Sequence, residues 1–118
     1  MRILLVDNEK EIRELLKDMI NAIFPGTCQL EEADGVATGL QKINSFKPDI
    51  VFLDVEMGDG TGFDLMNKIQ TPSFQLVFTT AHNKYAVQAF KCSAIDYLLK
   101  PIDIDELESS LQKANANI

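Results

Sequence analysis

The chain has 118 residues, which is the length of a single domain. Hydrophobic residues make up 46% of it and charged residues 25%, which argues against a disordered, collagen-like or coiled-coil chain. Its 18 acidic and 11 basic residues give a net charge of −7, whereas a nucleic-acid clamp needs a basic surface. With two cysteines and one histidine, neither a disulfide framework nor a histidine-rich metal centre is expected. No apolar run approaches the roughly 20 residues of a membrane span, and the first residues do not resemble a signal peptide, so we expect a cytoplasmic protein without membrane contact.

Hydrophobic patterning begins with a strand and a helix. Residues 3–6 form a continuous aliphatic run, which is typical of a strand buried on both faces of a parallel sheet. Apolar residues then recur at helical spacing over residues 12–23. Asp7 or Asn8 can cap this predicted helix, and Pro25 with the following glycine stops it.

The next two rounds repeat this alternation. A weaker, edge-like strand is predicted over residues 27–33 and a helix over residues 36–43. Residues 50–53 give the strongest strand signal of the chain, and this run ends directly in Asp54. A glycine-rich stretch then opens a short helix over residues 63–69.

Two further rounds complete the chain. Strands are predicted over residues 76–80 and 95–99, and between them the apolar residues of the segment 85–90 share one helical face. The final helix starts at Asp103, which has capping-box spacing to Glu106. Five strand–helix rounds with short links predict a doubly wound α/β fold, in which a five-stranded parallel sheet carries helices on both faces.

Chemically active side chains stand at four of the predicted strand ends. Asp7, Asp54 and Lys100 directly follow strands, and Thr80 ends one. Because ligands bind beyond the carboxyl ends of the strands in doubly wound sheets, we expect these groups to share a pocket. Two close carboxylates repel by about 4 kcal/mol at an effective dielectric of about 20, which favours a raised pKa, pairing with Lys100 or binding of Mg2+. Such a pocket suits a phosphoryl group, and Asp54 can act as a nucleophile that forms an aspartyl-phosphate.

Most of these residues also have a simpler structural interpretation. Asp7 can be a helix cap, Thr80 an ordinary strand residue, and Lys100 with the following proline a normal strand exit. Asp54 has no such role, because it follows four buried apolar residues without capping anything. Their joint occurrence at successive strand ends favours the common site.

One pattern is formed by five segments of the chain: LLVDNE (4–9), LDVEM (53–57), GTGF (60–63), TTA (79–81) and DYLLKP (96–101). Together they resemble the receiver domain of two-component response regulators, over essentially the whole chain. The stretches 80–90 and 94–101 are most similar to receivers of LytTR-type transcriptional regulators. The resemblance implies a flavodoxin-like sheet of strand order 2-1-3-4-5 and a receiver domain over residues 1–118, with any C-terminal output domain absent from this chain.

The resemblance also implies roles for the residues at the strand ends. Asp54 would accept a phosphoryl group from a sensor histidine kinase, while Asp7, Asp54 and the backbone carbonyl of Glu56 would hold Mg2+. Thr80 would bind a phosphoryl oxygen in the activated state, and Lys100 would pair with the phosphoryl group. The protein would then be a phosphorylation switch and not an enzyme, since it would catalyse only its own phosphorylation and slow dephosphorylation.

We expect the signal to leave the domain through the surface around Tyr97. The resemblance implies that this aromatic side chain rotates inward when Thr80 moves. An ordinary half-buried sheet aromatic is the alternative for Tyr97. The face formed by the fourth helix, the fifth main strand and the fifth helix would carry the signal, and it is a candidate homodimer surface. DNA would be reached only through an output domain, because the acidic chain itself should not bind it.

Three residues depart from the family pattern or vary within it. Asn8 stands where a second acid is usual; its amide oxygen can still be a ligand, but without charge, so Mg2+ binding should be weaker. Gly58 replaces a common proline, which should loosen the loop that carries Glu56 without loss of chemistry. His82 can order or obstruct the water that attacks the phosphorylated aspartate, and so tune dephosphorylation, or it can be a solvated loop residue.

Two other functions remain as alternatives. One is a magnesium-dependent phosphatase with an aspartate nucleophile, but Glu56 stands where a second aspartate is usual, and the chain has no room for a cap domain. The other is a flavodoxin-like nucleotide or flavin carrier, whose phosphate the acidic residues 7–9 would repel.

Overall fold

The computed structural model describes all 118 residues. Five parallel strands form one sheet and a two-stranded hairpin stands beside it, with five helices around them. The strands are β1 (Arg2–Val6), β2 (Gln29–Ala33), β3 (Ile50–Asp54), β4 (Glu56–Met57), β5 (Gly60–Thr61), β6 (Gln75–Thr80) and β7 (Asp96–Leu99). The helices are α1 (Lys10–Ile23), α2 (Val36–Phe46), α3 (Gly62–Asn67), α4 (Ala86–Lys91) and α5 (Ile104–Ala116).

The main sheet has the order β2-β1-β3-β6-β7, which is the predicted order 2-1-3-4-5 when only its five strands are counted. The neighbouring strands pair in parallel throughout. Leu16 and Leu107, from α1 and α5, join the apolar cluster on one face of the sheet. Val36, Leu65 and Ala89, from α2, α3 and α4, join the cluster on the other. The doubly wound fold is therefore confirmed.

The helix ends agree only in part with the prediction. The N-cap residue of α1 is Glu9 rather than Asp7 or Asn8, and no side chain caps this helix. The predicted cap was wrong because the Asp7 carboxylate accepts the Glu9 amide (2.8 Å) within the β1–α1 turn and faces Lys100 with its other oxygen. The cap of α5 is confirmed, since Asp103 accepts hydrogen bonds from the amides at the start of that helix.

The hairpin of β4 and β5 was not predicted as such. It directly follows β3, so it stands beside the end of the central strand. Gly60 has a φ of +145°, a conformation that L side chains rarely adopt. At Gly62 a Cβ atom would lie 2.6 Å from the backbone oxygen of Asp54, so only glycine allows this close approach.

The edge strand β2 is lined by ion pairs on both faces of the sheet. Glu32 contacts Arg13 (3.0 Å) and Lys17 (2.9 Å) from α1, while Glu31 contacts Lys42 (2.7 Å) from α2. These pairs explain why β2 has the weaker strand signal, because its outward positions carry charge. None of the helices is both long and apolar enough to cross a membrane.

Candidate functional site

The four residues predicted at the strand ends lie at one edge of the sheet. Asp7 follows β1, Asp54 ends β3, Thr80 ends β6 and Lys100 follows β7, and the sheet order makes these four strands neighbours. The Lys100 Nζ atom lies 2.8 Å from Asp7 Oδ2 and 3.4 Å from Asp54 Oδ1. Asp7, Asp54 and Thr80 are all buried. An ammonium group thus lies between two buried carboxylates.

The charges at this edge perturb one another strongly. Burial raises the pKa of Asp54 from 3.8 to about 6; the negative charge of Asp7 adds to this shift, and Lys100 opposes it. For Lys100, burial lowers the pKa, but the close contact with Asp7 and the charges of both carboxylates outweigh burial, so the net shift is upward. Lys100 is therefore a permanent cation, whereas Asp54 is ionised only above mildly acidic pH.

The side chains fit a hard cation. Asp7 Oδ2 is buried and accepts no hydrogen bond of good geometry, although the Lys100 ammonium is 2.8 Å away, so this oxygen has lone pairs to offer. No group of three His, Cys, Asp or Glu side chains gathers anywhere in the chain. A cation held by Asp7 and Asp54 would therefore complete its shell with amide, carbonyl or water oxygens, as Mg2+ commonly does.

A second set of contacts runs along the rim of the site and was not predicted. The His82 Nε2 atom lies 2.9 Å from Glu56 Oε1, and both side chains are about half exposed. These residues stand two positions after Asp54 and Thr80, which end the adjacent strands β3 and β6. Equal offsets from neighbouring strand ends are the sequence signal that could have indicated this pair.

His82 also links Thr80 to Tyr97 through its backbone. Its amide donates to Thr80 Oγ1 (3.2 Å), and its carbonyl accepts the Tyr97 hydroxyl. The Tyr97 hydroxyl in turn accepts the Tyr85 amide (3.3 Å). Tyr97 itself is half-buried in β7.

Apolar side chains are exposed on α4, β7 and α5. Phe90 is 77% exposed and Val87 69%, and Leu99 and Ile104 are also exposed. A groove of about 380 Å³ beside Tyr97 runs between α4 and β7 and reaches Lys113 of α5. Exposed apolar side chains around a groove are typical of interaction surfaces.

Comparison with known proteins identifies the family. Residues 3–112 match the response regulator receiver domain. The sensory transduction protein LytT of Enterococcus faecalis is 37% identical over 117 residues, which cover 98% of this chain and 48% of that protein. LytR of Staphylococcus haemolyticus is 38% identical over 122 residues, which cover all of this chain and 46% of that protein. The chain thus spans about half the length of the curated relatives it matches.

A solved structure agrees with these relatives. The response regulator TrrA of Thermotoga maritima, crystallised in complex with Mg2+-BeF, has a TM-score of 0.83 and 30% identity, covering 96% of this chain and 97% of that one. The resemblance inferred from the strand-end motifs is confirmed. Receiver domains are signalling switches rather than classical enzymes, and sensor histidine kinases phosphorylate them. This chain belongs to the response regulator receiver domain family of two-component systems.

Proposed function

We propose that Asp54 is the phosphoryl acceptor and that its phosphorylation switches the conformation of the chain. The observation that carries this proposal is the Asp54 carboxylate, buried at the end of β3 and 3.4 Å from the Lys100 ammonium. An Asp54 oxygen attacks the phosphorus atom of a phosphohistidine on the kinase. The new O–P bond forms as the N–P bond breaks, and the electron pair returns to the imidazole nitrogen.

Mg2+ would be held by four groups: the carboxylates of Asp7 and Asp54, the Glu56 backbone carbonyl and the Asn8 amide oxygen. When bound, this cation neutralises charge on the phosphoryl oxygens during transfer. Asp7 supports this assignment with its buried Oδ2 atom, which accepts no hydrogen bond of good geometry and so has lone pairs to offer. Asn8 is exposed and uncharged, so it would add an oxygen ligand without electrostatic attraction. The Mg2+-BeF complex of TrrA is a precedent in a structural relative.

Lys100 and Thr80 would rearrange around the new phosphoryl group. Lys100 now pairs with Asp7 and Asp54, and a phosphoryl group on Asp54 would attract the same ammonium. The Thr80 hydroxyl accepts the His82 amide, which leaves its own hydrogen free to bond a phosphoryl oxygen. Any shift of Thr80 would then move His82 and, through the His82 carbonyl, the hydroxyl of Tyr97.

The output surface would be the face of α4, β7 and α5, which carries Tyr97 and several exposed apolar residues. We infer that this face either pairs two copies of the chain or contacts an effector. The relatives LytT and LytR are about twice as long as the matched segment, which supports an output domain beyond it, of the LytTR DNA-binding type. The acidic receiver itself would not bind DNA.

A phosphatase with an aspartate nucleophile is the weaker proposal. Its general acid would have to be Glu56, which stands two residues after Asp54. The Glu56 carboxylate contacts His82 at the rim, where it is not free to serve a leaving group. A stable phosphorylated form would therefore support the switch, and rapid turnover of a phosphomonoester would support the phosphatase.

The direct test is the intact mass after incubation with acetyl phosphate and Mg2+. We expect one added phosphoryl group on the wild type and none on Asp54→Asn. Asp49→Asn is the matched control, because Asp49 accepts the Arg2 amide at the opposite edge of the sheet. Phosphate on Asp54→Asn, or none on the wild type and the control, would contradict the proposal.

A further inference from the structure

The tip of the β4–β5 hairpin is bonded to the start of α2 through Asp59. Asp59 Oδ1 accepts the Val36 amide (2.8 Å), and Oδ2 accepts the Ala37 amide (3.2 Å). The helix has no side-chain cap of its own, because its N-cap residue is Gly35. The hydrogen bonds from Val36 and Ala37 lower the pKa of Asp59, so its carboxylate stays ionised and caps α2 from 22 or more residues away.

Gly35 leaves the room that this contact needs. A Cβ atom at residue 35 would lie 2.7 Å from Asp59 Oδ1. The backbone of Gly35 is extended, with φ −172°, so any residue could adopt its conformation. A side chain at residue 35 would therefore displace the Asp59 carboxylate, so glycine preserves this contact by leaving space and not by backbone freedom.

Few other polar side-chain contacts fix the hairpin tip, although Met57 also packs against the apolar core. Gly58 has open space where a side chain would be, so the tip is not packed on that side. Beyond the link of Thr61 to α3, the hairpin side chains bond to the rest of the fold at two points: Asp59 on α2 and Glu56 on His82. The Glu56 backbone carbonyl belongs to the segment between these two attachments.

The start of α2 is a rigid support for this attachment. At Gly39 a Cβ atom would lie 2.8 Å from Leu65 of α3 and 3.2 Å from Val6 of β1, so the helix lies very close to both elements. Val36 is itself buried in the core. A carboxylate bonded to this helix end is therefore held in place relative to Asp7, which follows β1.

We propose that Asp59 is a positioning residue for metal binding, which holds the Glu56 carbonyl in place through its bonds to α2. This inference rests on the proposed function, in which that carbonyl is a magnesium ligand. Asp59 compensates for Gly58, since the glycine loosens the loop and the carboxylate fastens it. Residues that orient metal ligands without touching the metal commonly change affinity by about 10- to 100-fold.

The test is a Mg2+ titration of the unphosphorylated full chain, followed by the amide NMR signals of residues 54–58. We expect the dissociation constant to rise about 3- to 10-fold in Asp59→Ala, a weaker effect than for a residue in direct contact with a ligand. Asp59→Asn, which keeps one acceptor oxygen, should fall in between. Gly35→Ala, which displaces the carboxylate while leaving it in the chain, should behave like Asp59→Ala.

Asp103→Ala is the matched control, because Asp103 also accepts two amides at a helix start. Both alanine variants should lose similar stability, but only Asp59→Ala should weaken Mg2+ binding and speed hydrogen exchange at Val36. The double variant of Gly35→Ala and Asp59→Ala should bind Mg2+ no more weakly than Asp59→Ala alone.

The outcomes separate this inference from the proposed function. If Asp59→Ala and Gly35→Ala bind Mg2+ as the wild type does, the inference is wrong while the phosphoacceptor proposal stands. Equal weakening in Asp103→Ala would also overturn it, since the effect would then be general loss of stability. A wild type that binds no Mg2+ would overturn both.

Discussion

The His82 imidazole contacts the Glu56 carboxylate at 2.9 Å across the rim of the Asp54 site. Water that hydrolyses a phosphorylated Asp54 would have to pass this rim. We therefore propose that these two contacting side chains, each about half exposed, obstruct part of that approach. Obstruction, and not ordering of the water, is thus the role that we propose for His82.

The first prediction concerns the lifetime of the phosphorylated protein. His82→Ala should shorten the lifetime of phosphorylated Asp54 by about tenfold, a difference of about 1.4 kcal/mol in the barrier, because water gains access. Glu56→Ala should act in the same direction, and the double variant should add little. The measurement is the decay of the phosphorylated mass, with Asn83→Ala on the same exposed loop as control. An unchanged decay in His82→Ala would refute the gating role.

The second prediction concerns charge at residue 8. Asn8→Asp should tighten Mg2+ binding about tenfold, because it adds a negative charge directly beside Asp7. Calorimetric titration measures the effect. Asn44→Asp is the control, since it adds the same charge at an exposed position on α2. Equal or weaker affinity in Asn8→Asp would count against a metal site at Asp7.

The third prediction follows from the raised pKa of Asp54. The folded protein binds this proton up to pH of about 6, whereas the unfolded chain releases it near 3.8. The contribution of Asp54 to stability should therefore fall as the pH rises from about 4 to 6 and then stay level. Asp54→Asn has no carboxylate to ionise at this position, so it does not lose this stability. In metal-free buffer at pH 7 it should therefore be more stable than the wild type, by up to about 3 kcal/mol.

Urea unfolding at several pH values between about 4 and 8 would measure this difference. It should grow across the acidic range and become constant above it. Asp49→Asn, outside the site, should not show the same growth. A stability difference that does not depend on pH would mean that burial does not raise the pKa of Asp54.

The fourth prediction concerns Tyr97. Tyr97→Phe removes the hydroxyl that bonds to the His82 carbonyl and the Tyr85 amide, which should cost about 1 kcal/mol of stability. Hydrogen exchange at the Tyr85 amide should also become faster. Tyr85→Phe, which deletes the same atom from a neighbouring ring, is the control. If both variants lose the same stability, the hydroxyl of Tyr97 does not anchor this turn.

Strand positions were the most predictable part of the fold. The apolar run before Asp54 is buried along its whole length, and such a run is compatible with little except a central strand. Since parallel strands end at one edge, the contacts of Lys100 with Asp7 and Asp54 followed from the strand order. The Lys100–Pro101 peptide bond that follows β7 is cis.

Features that depend on distant contacts were less predictable. Helical spacing predicted one apolar face for residues 85–90, yet Phe90 is largely exposed, because periodicity cannot tell a core face from a binding face. The hairpin was missed because two-residue strands carry no periodic signal. The bonds from Asp59 to α2 join residues more than 20 positions apart, which local patterns do not reveal.

The ion pairs of Glu31 and Glu32 on β2 have a consequence beyond the folded monomer. An outermost strand is a template on which another chain can extend the sheet into an aggregate. Charged groups on both sides of β2 oppose such an addition, because a docking strand would have to strip water from them. Replacing these glutamates with valine should therefore make the protein prone to fibrous precipitation.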